Sequence, residues 1–360
     1  MSAVEYILEP VLSEIPLSSS LSVLPSGDIV IVHKKGGLTL LSSQVVAETN
    51  STLKFSKNSM INLVPDDLYV SRQGGLIAFV AHPNYEKNGW LYLSYAAGTA
   101  NKNFLKIVRF RLNNNTVTDQ ASIFRVAQDK DTPVHFGGKM AFSLQGHLLV
   151  TSGDGFDYRE KAQVLSNQLG KVLRMSDTGE ALIENPYYVG STAHPDTPKN
   201  YVFTLGHRNP QALLVRSDGV IVSNEHGPKG GDEINVLEAG VNYGWPVVTN
   251  GTDYIGASIS PFKNYKGMRL PNYDWTPSIA PSSMVFYEGG KFPELRNHYL
   301  ITSLKLKNIY LVTKDFTSGH QATLFSAPQT RLRDIAVLPS GDLIVLSDGE
   351  NATLSVLKKR

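Results

Sequence analysis

Leu24-Pro-Ser-Gly-Asp-Ile-Val-Ile-Val32 and Leu338-Pro-Ser-Gly-Asp-Leu-Ile-Val-Leu-Ser-Asp348 are one phrase written twice, a polar turn closed by glycine and followed by a short β-rich run. It returns as Ser143-Leu-Gln-Gly-His-Leu-Leu-Val-Thr-Ser-Gly-Asp154 and as Arg216-Ser-Asp-Gly-Val-Ile-Val-Ser-Asn224. Looser copies stand at Lys87-Asn-Gly-Trp-Leu-Tyr-Leu-Ser-Tyr95 and around Gly290 to Thr302. The pivots Gly27, Gly89, Gly146, Gly219, Gly290 and Gly341 are 62, 57, 73, 71 and 51 residues apart, so six units fill the 360 residues. Each phrase reads as a hairpin turn entering a buried strand, because glycine relieves the positive-φ cost of the turn and the branched run fills a sheet. About 60 residues per unit suits four antiparallel strands and their loops, and a closed ring of such sheets protects its edges. The expected fold is all-β, a six-bladed β-propeller of four-stranded antiparallel blades. A pair of β-sandwiches is the structural alternative, and it gives no reason for the near-regular spacing.

Helical periodicity is confined to Tyr158–Gln168. No Gly/Ser-rich or Pro-rich linker breaks the register, so residues 1–360 are expected to form a single propeller domain. The segment Asn250 to Asp274, with Tyr254, Tyr265 and Tyr273, reads as a long loop over one face, where propellers concentrate function.

Composition narrows the partners. The formal net charge is only +2 and charged residues make up 18% of the chain, which excludes an obvious nucleic-acid or anionic-membrane binder. At 41% apolar residues the chain can build a large core rather than remain disordered. There is no cysteine, so disulfides, thiolate metal sites and a cysteine nucleophile are excluded together. No apolar run approaches the ~20 residues of a membrane span. Met1 to Leu17 carries Glu5, Glu9 and Glu14 without a basic stretch, so no signal peptide is expected there. With no long insertion to offer a dimer surface, a monomer is expected.

Four segments hold residues that strands and turns do not require. Val134-His-Phe-Gly-Gly-Lys139 sets a histidine beside two glycines, where backbone can approach a ligand and the ring titrates near neutral pH. Leu205-Gly-His-Arg-Asn-Pro-Gln211 puts Arg208 and Asn209 before a proline that forces an extended chain, and a loop arginine of this kind recognises carboxylate or a developing oxyanion. Asn224-Glu-His-Gly-Pro-Lys-Gly-Gly-Asp-Glu-Ile-Asn235, followed by Gly240-Val-Asn-Tyr-Gly-Trp-Pro246, interleaves oxygen donors with glycines in a way that suits Ca²⁺. Lys305, with Arg331 and Arg333 on one side of an extended segment, makes a pocket for a polyanion. Each has a plainer reading: a histidine satisfied at a strand start, a loop ion pair, a solvated acidic turn, solvated strand residues.

Taken in order, these phrases resemble the soluble pyrroloquinoline quinone (PQQ)-dependent sugar dehydrogenases, particularly the shorter aldose sugar dehydrogenase branch. The resemblance runs from Gln73-Gly-Gly-Leu76 and His82-Pro83 through the His135 segment, Gly206 to Gln211, Glu225-His-Gly-Pro228, Trp245-Pro246 and Pro277 to Ser282, to Arg331-Leu-Arg-Asp334. It implies that an aldose is oxidised at C1 to its lactone, with PQQ taking hydride and an external acceptor taking the electrons. It implies that His135 is the catalytic general base, that Arg208 polarises the quinone carbonyl and that Asn209 also contacts the quinone. Gln73, Lys305, Arg331 and Arg333 would complete the cofactor pocket, with Trp275 as a wall for the flat ring. The carbonyls of Gly227 and Pro228 would hold a Ca²⁺ ion touching the cofactor, and Glu233 with the carbonyl of Tyr243 a second, structural one.

Three departures stand out: Lys139 where the family often has arginine, Ala78 for a common glycine, and Val134 where the glucose-oxidising branch has aspartate. The first two are expected to touch packing, the third cofactor contacts and substrate preference. The family is usually exported, so an extracytoplasmic location is expected. A Ca²⁺-dependent lactonase or esterase propeller and a catalytically silent binding propeller are the competing readings, since fold alone does not choose.

Overall fold

A computed structural model describes residues 5–44, 54–190, 197–324 and 330–360. The chain winds six antiparallel sheets into a ring. The first blade is Ser18–Val23, Ile29–His33, Leu38–Gln44 and Lys54–Ile61, and the second Leu76–Ala81, Leu91–Thr99, Lys102–Asn113 and Thr116–Arg125. The third is Gly137–Phe142, Leu148–Ser152, Lys171–Met175 and Val202–Leu205. Pro210–Val215, Ile221–Glu225, Asp232–Leu237 and Tyr273–Trp275 make the fourth. The fifth is Pro281–Tyr287, His298–Ser303, Ile309–Thr313 and Gly319–Gln321. Leu332–Val337, Leu343–Ser347 and Ala352–Lys359 form the inner three strands of the sixth, and Glu5–Ile15 closes it as the fourth. A two-residue strand, Thr323–Leu324, adds a parallel pairing at that outer edge.

All six pivots fall between the first and second strands of a blade. Gly27, Gly146, Gly219 and Gly341 turn at φ 81–87°, each donating its N–H back three residues. The two loose copies differ. Gly89 caps the short helix Tyr85–Asn88, and the fifth blade makes its connection through a 3-10 turn at Pro293–Leu295 with no positive φ at Gly290.

The second strands are apolar on both faces because each serves two seams. Side chains alternate across a strand, so Ile29 and Ile31 pack with the sixth blade while Val30 and Val32 pack with the second. Leu148 and Val150 likewise face the second blade and Leu149 the fourth. Six hydrophobic clusters result among the described residues, one at each junction between neighbouring blades. Ala78 packs in one of them, as a residue concerned with packing should.

The expected helix at Tyr158–Gln168 is only a 3-10 turn, Arg159–Gln163. The buried ammonium of Lys171 takes the carbonyls of Lys161, Ala162 and Leu169 at 2.8, 3.0 and 2.8 Å, oxygens that a continuing helix would need. Residues 250–272 are turns and bends over one face, as expected, and 273–275 join the fourth blade. Among the described residues no helix is long and apolar enough to cross a membrane.

Polar staples tie the innermost strands around the ring. Asp334, 5% exposed, accepts the N–H of Leu21 in the first blade and that of Ile335, both at 2.8 Å. Replacing it with alanine leaves a buried N–H without its acceptor, which costs about 1–3 kcal/mol. Asp334→Ala is therefore expected to lower the unfolding free energy by that amount, read as a lower urea midpoint at unchanged m-value, with Asp334→Asn intermediate. An unaltered midpoint would show that this contact does not hold the sixth blade to the first.

Candidate functional site

The site stands where the second strands end. Lys34 follows Ile29–His33, Asp154 follows Leu148–Ser152, Glu225 ends Ile221–Glu225 and Asp348 follows Leu343–Ser347. In the first, third, fourth and sixth blades a charged residue therefore stands at or just past the end of the second strand, where the repeated phrase runs out.

His135 is 5% exposed and sits at φ 53°, a left-handed conformation that a side-chain-bearing residue rarely adopts. Two bonds hold it there: its N–H donates to Gln73 Oε1 at 2.8 Å, and its Nδ1 lies 2.7 Å from Asp154 Oδ1. Asp154 is fully buried and also accepts the N–H of Phe156 and the Nε1–H of Trp245, each at 2.8 Å. An ionised carboxylate only accepts, so Nδ1 carries the proton and Nε2 is left as the basic nitrogen. Burial holds the imidazole below its ordinary pKa; Asp154 opposes the shift and the charges of Arg208 and Lys130 reinforce it.

Arg208 and Asn209 face two different cavities. Asn209 is 1% exposed, lines a cavity of about 340 Å³, and has neither amide atom hydrogen-bonded. Lys34, Arg72, Lys139, Arg331 and Arg333 line the same cavity against a single carboxylate, Asp348. Arg331 and Arg333 do converge, but on Asp348: Arg331 Nε is 3.2 Å from Oδ2, and Arg333 donates from Nε and Nη2 to Oδ1 at 2.9 and 2.7 Å. Lys139, expected to touch only packing, is on the cavity wall. Gln73 lines it too. Lys305 does not: it is exposed in the turn after His298–Ser303, and its neighbour Leu304 reaches the wall instead.

Arg208 lines a second cavity of about 340 Å³ with Phe156, Arg159, Trp245, Asp253 and Tyr254. Its Nη1 donates to the carbonyls of Gly227 and His226 at 2.7 and 3.2 Å, and its Nη2 to the Tyr254 hydroxyl at 3.2 Å. Phe156 meets the His135 ring edge-on, centroids 5.2 Å apart, and stacks on Tyr254 at 6.4 Å. Trp275 is not a wall of either cavity. It is 5% exposed in the seam between the fourth and fifth blades, edge-on to Tyr310 at 5.5 Å, and Trp245 occupies the place at the site.

The Gly227–Pro228 turn is fixed from below by Asp232, which accepts the N–H of Gly227 at 2.9 Å, the Ser278 hydroxyl at 2.6 Å and the N–H groups of Ile279 and Ala280, both at 2.8 Å. A Cβ on Gly227 would lie 2.2 Å from the Gly231 carbonyl oxygen, so only glycine fits this cradle. Pro228 lines the second cavity.

Glu233 lies in register with Glu225 on one side and Asp274 on the other, a row of three carboxylates across adjacent strands. Asn235 Nδ2 reaches Glu233 Oε2 at 3.0 Å and Glu225 Oε1 at 3.4 Å, while Asp274 Oδ2 and Asn235 Oδ1 are buried without a partner. Burial, then Glu225, pushes the Glu233 carboxyl well above the usual range. Tyr243 stacks on His207 at 5.0 Å, and His207 Nδ1 bonds Glu225 at 2.8 Å, so Tyr243 reaches the row through its ring. Among the described residues no three His, Asp or Glu side chains are grouped to hold a metal ion.

Sequence reasoning gave no role to Asp154, Lys34 and Arg72, and none to Trp245 and Asp232 although both stood inside quoted segments. The first is the closing residue of a repeated phrase, and that position was the available signal.

The protein-family model described as Glucose / Sorbosone dehydrogenase matches residues 14–356. Aldose sugar dehydrogenase YliI of Escherichia coli is 33% identical over 304 residues, covering 82% of this chain and 80% of that one. Quinoprotein glucose dehydrogenase B of Acinetobacter calcoaceticus is 26% identical, covering 77% and 73%. The crystal structure of the soluble aldose sugar dehydrogenase from Escherichia coli in its apo-form superimposes with a TM-score of 0.86 at 28% identity, covering 99% of this chain and 100% of that one.

Four histidines, His33, His82, His135 and His226, are held below the ordinary imidazole value, chiefly by burial. His226 is lowered to about 3, with Arg208 adding to the effect of burial. Below about pH 6.5 the unfolded chain therefore binds protons that the native state refuses, so this contribution to stability is complete above that pH and is lost as pH falls. Glu233 acts in the opposite sense and is common to both proteins compared. His226→Gln is expected to show a smaller drop in Tm between pH 7.5 and 5.5 than the unaltered protein, and equal drops would refute the assignment.

Proposed function

The chain belongs to the glucose/sorbosone dehydrogenase family, and we propose that it oxidises the C1 hydroxyl of an aldose to the lactone with PQQ as hydride acceptor and an external electron acceptor beyond it. The observation that carries this reading is Asn209: an amide with both polar atoms buried and unpartnered, facing a cavity that five cationic side chains share with one carboxylate. Such a group costs free energy unless a ligand completes it. PQQ fits, because its three carboxylates suit the cations and its ring carbonyls suit an amide N–H.

Arg331, Arg333, Lys34, Lys139 and Gln73 would hold the cofactor with Asn209 at the quinone, and Arg208 would reach the quinone from the second cavity; Lys305 lines neither. PQQ, when bound, supplies an electrophilic carbonyl that accepts a hydride from carbon. Gly227 and Pro228 would offer their carbonyls to calcium on a turn that only glycine fits and that Asp232 fixes, with calcium competing with Arg208 for the Gly227 oxygen. Glu233 and the Tyr243 carbonyl would serve a second, structural calcium, supported by the unpartnered oxygens of Asp274 and Asn235.

His135 Nε2 takes the proton from the C1 hydroxyl as the C–H bond gives up its electron pair. Asp154 fixes the tautomer and stabilises the imidazolium that forms, as in other carboxylate–histidine pairs. Arg208 donates hydrogen bonds where negative charge develops. The sugar would lie against Phe156 and Tyr254, whose apolar faces suit C–H groups, with Arg159 and Asp253 for its hydroxyls.

Calcium-loaded protein should bind PQQ saturably by fluorescence quenching and reduce a dye with aldoses. Arg331→Ala and Arg333→Ala should raise the PQQ Kd at least ~10-fold, since each leaves a partly buried anion unpaired. His135→Gln should keep that affinity and lose about 10²–10⁴-fold in turnover. Wild-type protein with no saturable PQQ binding would overturn the proposal, and a His135→Gln enzyme within a few-fold of wild type would remove His135 from the chemistry.

A further inference from the structure

Lys130 is a lysine inside the protein, 3% exposed, on no surface and in neither cavity. Among the described residues it has no carboxylate partner within 4.0 Å. Its Nζ instead donates to Asn103 Oδ1 at 2.9 Å, to the carbonyl of Val134 at 3.0 Å and to that of Thr132, and it lies 3.4 Å from the centre of the Phe136 ring. Desolvation pulls its pKa to about 7, against the opposing charges of Asp154 and Asp131. A buried ammonium without an ion-pair partner is unfavourable by itself. Its surroundings say what it does.

Every acceptor but Asn103 belongs to the segment Thr132–Phe136, which carries His135. The Thr132 hydroxyl, in turn, donates to the Gly155 carbonyl at 2.6 Å, tying that segment to the loop that presents Asp154. No neutral side chain could satisfy three acceptors from one atom. Its charge also lies close enough to His135 to oppose protonation of the ring, together with Arg208 and against Asp154.

We propose that Lys130 is a positioning residue for His135: its ammonium group locks the Thr132–Phe136 segment and supplies a positive charge that keeps the imidazole in its neutral, proton-accepting form. The proposal rests on the reading of His135 as the proton acceptor. Burial lowers the Lys130 pKa, so its charge is fullest towards acid pH, the range in which His135 would otherwise gain its proton, and the device extends catalysis towards acid.

The test reads the ring directly, in folded protein without cofactor. Histidine ring resonances are followed against pH by NMR in wild type, Lys130→Met and Lys130→Arg, with the His135 signal assigned by its loss in His135→Gln. Lys171→Met, which removes a second buried lysine, is the control for general loosening. Lys130→Met should raise the His135 midpoint by about half a pH unit or more, Lys130→Arg should leave it at or below wild type, and Lys171→Met should not move it. In PQQ-loaded enzyme the acid limb of kcat/KM should move with the midpoint, while PQQ affinity stays within about 2-fold of wild type. A midpoint in folded Lys130→Met within about 0.2 units of wild type overturns the proposal. If Lys130→Met does not fold, Lys130→Arg decides: an upward shift there, or an acid limb that does not follow the midpoint, overturns it, and a midpoint at or below wild type that the acid limb follows supports it. Full turnover by His135→Gln would instead remove the functional reading and leave the NMR result standing.

Discussion

The pairing of Glu5–Ile15 with Ala352–Lys359, from Tyr6 opposite Lys359 to Ile15 opposite Ala352, turns a row of sheets into a ring. Without it the first and sixth blades would each expose an edge and an apolar face. The closure costs the entropy of joining distant parts of the chain, and the seam it completes offsets that cost by burying Ile15, Ile29, Ile31, Ile344 and Leu354 together. It also assembles the first cavity, whose wall combines Ser18 and Lys34 of the first blade with Arg331, Arg333 and Asp348 of the sixth. The cationic pocket is therefore a product of ring closure, and no single blade contains it.

The architecture has a second consequence at the ends of the second strands. Mid-strand positions must be apolar on both faces, so polar chemistry is pushed to the strand ends, where the loops meet. Charges placed there are still largely buried, and the protein satisfies each with several donors rather than one. Asp154 accepts from His135, Phe156 and Trp245; Asp232 accepts from four groups; Glu225 accepts from His207 and the N–H of Arg208. Carboxylates saturated in this way are fixed in direction, which lets His135 hold a left-handed backbone conformation without drifting.

How much of this could be read in advance follows from the range of each signal. Turn glycines and buried runs act locally, so the six pivots located the first hairpin of every blade, including the two irregular ones. His135, Arg208, Asn209, Arg331 and Arg333 stood out because unusual residues cluster in short segments, whereas Gln73 came from the family resemblance alone. Lys305 and Trp275 were misplaced because the direction of a side chain depends on which strand it leaves and what packs behind it. Trp275 fills a seam and Trp245 reaches the site, yet both precede or approach a proline and look alike in sequence. Lys34 and Arg72 were missed, and Lys139 was read as packing, because each comes from a different blade and only the ring brings them together. The helix expected at Tyr158–Gln168 failed for another non-local reason, since Lys171 claims its carbonyls from a neighbouring strand.

A near-neutral chain has sorted its charges internally. The first cavity gathers cations, while the fourth blade sets Glu225, Glu233 and Asp274 side by side. Like charges directly opposite on a sheet repel, and the three are not equally relieved: Glu225 has His207, the Arg208 N–H and Asn235, whereas Glu233 shares only Asn235. The remaining repulsion appears as the raised proton affinity of Glu233. A proton or a divalent cation would relieve it, and the two differ in consequence. A proton neutralises one oxygen locally, whereas a cation could also engage the unpartnered oxygens of Asp274 and Asn235 and stiffen the strand that leads, through Asp232, to the Gly227–Pro228 turn. The acidic row and the second cavity, the one Arg208 lines, are thus coupled through one strand of the fourth blade: whatever relieves the row also steadies the turn that lines that cavity through Pro228.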